Sequence, residues 1–197
     1  MGTQVWDDGI RIIETINLSC AKALSQTINN AAAVTADGGL QTTIPITTHG
    51  YLAGSNIYIT GSTNYSGLKR ITAVATSTIT IQAPFVAETF AGTETTRFAY
   101  PCPVACEIAE LRIHLSTAPT TANDFVITCD AARGSAYDTV VFSKAMTGLT
   151  DYIWVPEDEV TFNIDDILVC TYTNTDVRTL GIELKIRRIA KLGVVRS

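Results

Sequence analysis

Hydrophobic and polar positions alternate strictly along RTLGIELKIRR (178–188), with Leu180, Ile182, Leu184 and Ile186 on one side and Gly181, Glu183, Lys185 and Arg187 on the other. Period two is the geometry of a strand with one buried face. ELRIHLS repeats it, with Leu111, Ile113 and Leu115 opposing Arg112 and His114, and so does VTFNI, with Val160, Phe162 and Ile164 opposing Thr161 and Asn163. A helix would scatter either set around its circumference. The chain is therefore predicted to be all-β.

The same pattern divides the chain. From Leu40 to about Phe98, short alternating runs (TTIPI, SNIYIT, GLKRITAVA, STITIQA, TTRFAY) are separated by turns, the spacing of a small barrel or sandwich. Pro101 and Pro103 stiffen the passage out of this unit. Runs at 107–116, 124–129, 138–143, 151–155, 159–164, 167–173 and 179–188 then predict a two-sheet antiparallel sandwich, whose connectivity periodicity does not specify. The resulting organisation is an N-terminal segment (1–38), a small β-domain (39–100), a sandwich (101–190) and a C-terminal tail (191–197). In the first segment Ile12, Ile13 and Ile16 show no clean period. Ser19 is placed to cap a short helix carrying Leu24 and Ile28 on one face, and the alternative is an extended arm laid over a neighbouring subunit.

Composition changes the picture in one respect. Thirty of the 197 residues are threonine and only 17% are charged, so exposed strand faces are covered largely by hydroxyls. A net charge of -5 offers no attraction for a phosphate backbone, and the only basic concentration is Lys185, Arg187, Arg188, Lys191 and Arg196. No nucleic-acid partner is expected. Nor is a membrane partner, because no apolar run approaches the length of a spanning helix, and the opening MGTQVWDDG lacks the basic start and apolar core of a secretion signal.

Candidate chemistry is sparse. Five cysteines (Cys20, Cys102, Cys106, Cys129, Cys170) form no repeating framework and read as reduced thiols, Cys129 and Cys170 as core filling. Cys102, Cys106 and His114 would make a zinc set lacking its fourth ligand. His49 and His114 have no nucleophile placed beside them by sequence, and GSTNYSG departs from a phosphate-binding loop because Lys69 follows leucine. The acids Asp151, Glu157, Asp158, Glu159, Asp165 and Asp166 offer oxygens to a hard cation, but their spacing is equally that of turns. Trp154 lies between Ile153 and Val155 in a strand, which favours packing over a sugar platform. Tyr51, Tyr58 and Tyr65 are spaced so that some can be exposed. No catalytic, cofactor-binding or metal residue is assigned, and no enzyme activity or cofactor is expected.

One stretch carries a resemblance. HGYLAGSNIYITGSTNYSGLKRITAVATSTITIQAPF is similar to a small β-module of tailed-bacteriophage structural proteins, through His49 and Gly50, Gly54 before an alternating strand, the Tyr65–Gly67 turn, Ile71 and Val74, and Thr78 to Ile81. Ser55 departs from the acid common at that place. The second unit resembles jelly-roll-like modules of phage virion proteins through Ser116 to Pro119, Ala136 to Val140, Tyr172 to Asp176 and Gly181. The resemblance implies a virion structural protein assembled in the host cytoplasm: a capsid-decorating or cement protein, or a neck or tail-fibre base component. It further implies a homo-oligomer, a trimer by preference, whose partners are the major capsid protein or neck and tail proteins. A carbohydrate-binding module contacting host glycans is the alternative, with Trp154 and the loop tyrosines as its candidates.

Overall fold

A computed structural model describes residues 12–20, 24–47 and 49–188, and the strands of these residues build two antiparallel sheets. One sheet runs β1 (Ile12–Cys20), β15 (Leu180–Arg188), β9 (Cys106–Leu115), β12 (Asp151–Trp154), with the two-residue β13 (Thr161–Phe162) also on β9. The other begins β11 (Thr139–Ala145), β10 (Asp124–Asp130), β14 (Ile167–Thr171), β8 (Thr95–Pro101). It continues through β5 (Asn56–Thr60), β6 (Gly67–Ala75), β7 (Thr78–Ile81), β4 (Gln41–Pro45) and β3 (Val34–Ala36).

Read in chain order, eight of these strands pair as nested hairpins: β1 with β15, β8 with β14, β9 with β12, and β10 with β11. Two further pairings, β15 with β9 and β14 with β10, join the hairpins into two four-stranded sheets. That connectivity defines a jelly roll. Between its first and second strands the chain inserts the small β-unit, whose β5 pairs with β8. The larger sheet therefore runs without a break from the sandwich into the insert.

The inward positions follow the alternation that predicted them. Leu111, Ile113 and Leu115 of β9 and Leu180, Ile182, Leu184 and Ile186 of β15 face Phe125, Ile127 and Cys129 of β10 and Leu168 and Cys170 of β14 in one core. The insert has a second core of Ile44, Ile46, Ile57, Ile59, Ile71, Ile79, Ile81, Tyr65 and Phe90. Near the start of β9 the register shifts, Lys185 opposing Glu110 but Ile186 opposing Ile108, so Ala109 is the extra residue of a bulge. Ile108 is consequently buried on the same side as Leu111, three residues on, which simple alternation cannot produce, while Glu107 faces the other way and is covered by its pair with Arg187.

The N-terminal expectations need correction. Ser19 lies in β1 and caps no helix, because residues 12–20 take all their ladder partners from β15. Leu24 and Ile28 flank a short strand, β2 (Ser25–Thr27), paired with β8, and each enters a different core. From Ile12 onward the segment is part of the fold of its own chain. The sandwich likewise extends beyond 101–190, since it draws its first strand from 12–20 and its second from 95–101. Residues 1–11 and the tail 191–197, with Lys191 and Arg196, lie outside the described residues.

Candidate interaction surface

The resemblance residues of the insert act as fold determinants. His49 Nε2 reaches two carbonyls of the β6–β7 hairpin, Ala75 O at 2.6 Å and Thr78 O at 3.0 Å, while its ring stacks on Tyr51. Tyr65 is buried, donates to Val86 O, and its hydroxyl accepts the Val86 amide at 2.8 Å. Gly67 opens β6 at φ +93, a backbone conformation that L side chains rarely adopt. Glu88 ties the turn between these residues: one carboxylate oxygen accepts Ser62 Oγ and the Thr63 amide, both at 2.9 Å, and the other accepts the Asn64 amide at 2.9 Å. Glu94 does the same for the Ala91, Gly92 and Thr93 amides, and those hydrogen bonds, Ala91 foremost, hold its carboxyl below the usual range.

Of the three tyrosines, Tyr51 and Tyr65 are core residues, Tyr51 hydrogen-bonding Thr96 Oγ1 at 2.9 Å. Tyr58 is half-buried, and a hydrogen bond to Asp130 of the sandwich, aided by burial, pushes its phenol up to about 12. It stays a neutral bridge between the insert and β10.

The sandwich carries a different surface. On the outer face of the smaller sheet, side chains of β12, β9 and β15 form a lattice of opposite charges. His114 Nδ1 lies 2.7 Å from Asp151, Glu110 accepts from Arg112 and from Lys185 at 3.2 Å, Lys185 is 3.5 Å from Glu183, and Arg187 pairs with Glu107. These pairs hold the Glu110 and Asp151 carboxyls below their ordinary range, Glu110 chiefly through Arg112 and Asp151 chiefly through His114. Lys185 and Arg187 are thus engaged with acids of their own sheet. Beside the lattice, Ile153 and Val155 are 60% and 59% exposed, an apolar strip along the edge strand β12 and the residue just beyond it. The other face of β12 turns inward, and Trp154 packs on Phe142 with ring centroids 4.6 Å apart. Phe142, Tyr152 and Trp154 together close the side of the sandwich between β11 and β12.

Loops meet at the two ends of the sandwich. At one end Asp176 accepts hydrogen bonds from the amides and hydroxyls of Thr120 and Thr121, joining the β9–β10 and β14–β15 loops. The Gly148 amide donates to Pro119 O at 2.9 Å, and the Leu24 amide to Tyr172 O at 3.0 Å, so the insert leaves the sandwich at this same end. Those hydrogen bonds, led by the Thr121 hydroxyl, hold the Asp176 carboxyl far below the usual carboxylate range. A depressed folded-state value means that the contribution to stability is complete above the ordinary range and is lost as pH falls. Asp176→Ala should therefore melt earlier than the parent chain at pH 7, with the gap narrowing on acidification below about pH 4. Thermal melts at a series of pH values check this, and a gap that widens in acid would contradict it.

At the other end Asp166, buried, accepts the Ala132 amide at 2.9 Å and the Asn163 amide at 2.8 Å. Asp165 adopts φ +69 in the adjoining turn, and Asp151 is engaged with His114 on the outer face. The acids that sequence spacing left open between cation ligands and turns are thus divided, Asp166 accepting local amides and Asp151 an imidazole. Cys102 and Cys106 are buried at this end, in contact with each other, whereas His114 lies on the exposed face of β9. Among the described residues, no three histidine, cysteine, aspartate or glutamate side chains converge as a metal site.

The described residues also form clefts. One of about 520 Å³ in the insert is lined by Asp37, Leu40, Arg70 and Gln82 among others. One of about 430 Å³ at the Asp166 end is lined by Cys129, Arg133, Glu159 and Asn163 among others. Neither cleft follows from local pattern, since each collects residues from three or more separate segments.

Fold and surface together define an all-β protein: an antiparallel jelly-roll sandwich with a small β-unit inserted ahead of its second strand. No protein-family model matches the chain, and no curated protein does. Among solved structures it is similar to VP17, a capsid protein of bacteriophage P23-77, at 11% identity over 97% of this chain and 92% of that one, with a TM-score of 0.22, a superposition too loose to define a shared fold.

Proposed function

We propose that this chain is a non-enzymatic structural protein of a bacteriophage particle, acting through multivalent protein contacts at the capsid surface, neck or tail-fibre base. The observation that carries the reading is where the resemblance residues fall. His49, Gly54, Tyr65, Gly67 and the Thr78 to Ile81 strand shape a rigid insert, while Ser116 to Pro119 and Tyr172 to Asp176 knit the sandwich loops from which it emerges. With these motif residues spent on scaffold, contacts with other proteins are left to the surface. Here that surface joins a lattice of paired charges to an apolar edge strip at Ile153 and Val155. Charge pairs of this kind orient a partner, and the apolar strip supplies burial.

In this reading the chain is a homo-oligomer, a trimer by preference, whose copies sit at symmetry-related positions. Its motive is the resemblance and the exposed strip, since β1 serves its own chain. Against the glycan reading, two of its three tyrosines, Tyr51 and Tyr65, are buried, Tyr58 is half-buried, and one side of Trp154 is covered by Phe142. Purified chain should bind isolated capsids or tails, Ile153→Asp should weaken that binding at least tenfold without changing the melting temperature, and a host-glycan panel should retain neither form. Selective retention on glycans with no affinity for particles would overturn the proposal.

A further inference from the structure

The crossing from the second to the third strand of the jelly roll is made by four residues, Cys102, Pro103, Val104 and Ala105, before β9 begins at Cys106. The crossing carries the chain from one sheet to the other, and Cys102 at its start and Cys106 just past its end are both buried. Backbone bonds fix each end separately. The Cys102 amide donates to Asp166 O at 2.9 Å and Cys102 O accepts the Asp165 amide at 2.8 Å, extending the β8–β14 ladder. Cys106 is held in the opposite sheet, opposing Phe162 on one side and Arg188 on the other. With both backbones set this way, the Cys106 thiol donates to Cys102 Sγ at 3.2 Å. Closing a disulfide from there requires the sulfurs to approach by about 1 Å, within the reach of small side-chain and local backbone adjustments.

We propose that Cys102 and Cys106 are a disulfide-forming pair that staples the two sheets of the jelly roll together when the protein leaves a reducing environment. The proposal is independent of the virion reading, since it concerns only these thiols and their frame. The oxidant is a low-molecular-weight disulfide. A thiolate of the pair attacks one of its sulfurs, expelling one thiolate and leaving a mixed disulfide on the protein. The second thiolate of the pair then attacks the protein-bound sulfur of that mixed disulfide and expels the remaining half. The protein loses two protons and two electrons, and the oxidant is reduced to two thiols.

The surroundings set the rate. The contact with Cys106, and burial after it, push Cys102 up, so Cys102 rests as the thiol and exchange is slow near neutrality and faster in alkali. Cys129, within electrostatic reach of the pair, lines the 430 Å³ cleft and is the competing thiol. Its own value is pushed up to about 11, by burial first and by Asp166 next, so it too rests as the thiol near neutrality, and what favours the pair is the 3.2 Å contact between Cys102 and Cys106.

The test uses the full chain, incubated with oxidised glutathione, then denatured, alkylated and peptide-mapped. Alkylatable cysteines should fall from the five in the sequence by two, with a loss of about 2 Da located in the peptide holding Cys102 and Cys106. The linked form should melt several degrees higher than the reduced form, and dithiothreitol should reverse both changes. Cys129→Ser should leave the linkage intact, whereas Cys102→Ser should abolish it. Full alkylation of Cys102 and Cys106 after oxidation, or a link from either of them to Cys129, would overturn the assignment.

Discussion

Leu184→Asp is expected to unfold the sandwich, while Lys185→Thr, one residue along, leaves its stability nearly unchanged. Leu184 is 2% exposed, opposes Leu111 across the ladder and lies in the middle of the inner face of β15. A carboxylate there would sit among Ile113, Ile182 and Ile186 with no cation to pair with, a penalty of several kcal/mol against a typical domain stability of about 5–15 kcal/mol. Lys185 points to the opposite face, where it neighbours Glu110 and Glu183. Partly exposed pairs of this sort contribute about 0–1 kcal/mol, and threonine is at home on an outer strand face. Urea unfolding of the two variants separates the cases. Equal stabilities would mean that the register of β15 is wrong.

Phe125→Ala is the second large effect, an expected loss of about 3–5 kcal/mol. Phe125 is fully buried on β10 and touches the rings of both Phe142 and Tyr172, so its removal opens a cavity lined by aromatic side chains that hold one another in place. Trp154→Ala, at the margin of the same core, should cost about 1–2 kcal/mol, since its ring is only partly withdrawn from water. Chemical denaturation of both variants gives the comparison. A larger loss at Trp154 than at Phe125 would place the centre of the sandwich core nearer β12 than the structure does.

The parts of this fold legible in the sequence are those governed by local alternation. Strands β9, β10 and β15 of the sandwich and β4, β5 and β7 of the insert fall where period two puts them, because each has one face in a core and one outside. Strand β1 escaped because its assignment comes from its ladder with β15, some 160 residues away, and Ile12, Ile13 and Ile16 carry no alternation of their own. The nested pairing of first strand with last is likewise non-local. So is the joint role of β8, which meets β14 through 98–101 and β5 through 95–99, and turns the boundary near residue 100 into a shared strand.

The surface shows the same division. That His114 faces outward on β9 could be read from parity, but its Asp151 partner follows only once β12 is known to lie beside β9. Tyr65 precedes a glycine turn and looks like a loop aromatic in sequence. It is buried because Thr42 of β4 and Val86 and Phe90 of the β7–β8 connection close over it from two other segments. The Cys102–Cys106 contact had a legible half, the short spacing around Pro103, and an illegible one, the sheet-to-sheet crossing that aims the two thiols at each other.

Imaging of intact particles by electron cryomicroscopy tests the central claim most directly, because it reads location, copy number and symmetry in one measurement. The account predicts density for a jelly roll with its β-insert at every symmetry-equivalent position of one particle component, with the Ile153 and Val155 edge buried against a neighbour. Particles complete in all their symmetric layers and lacking that density would contradict it.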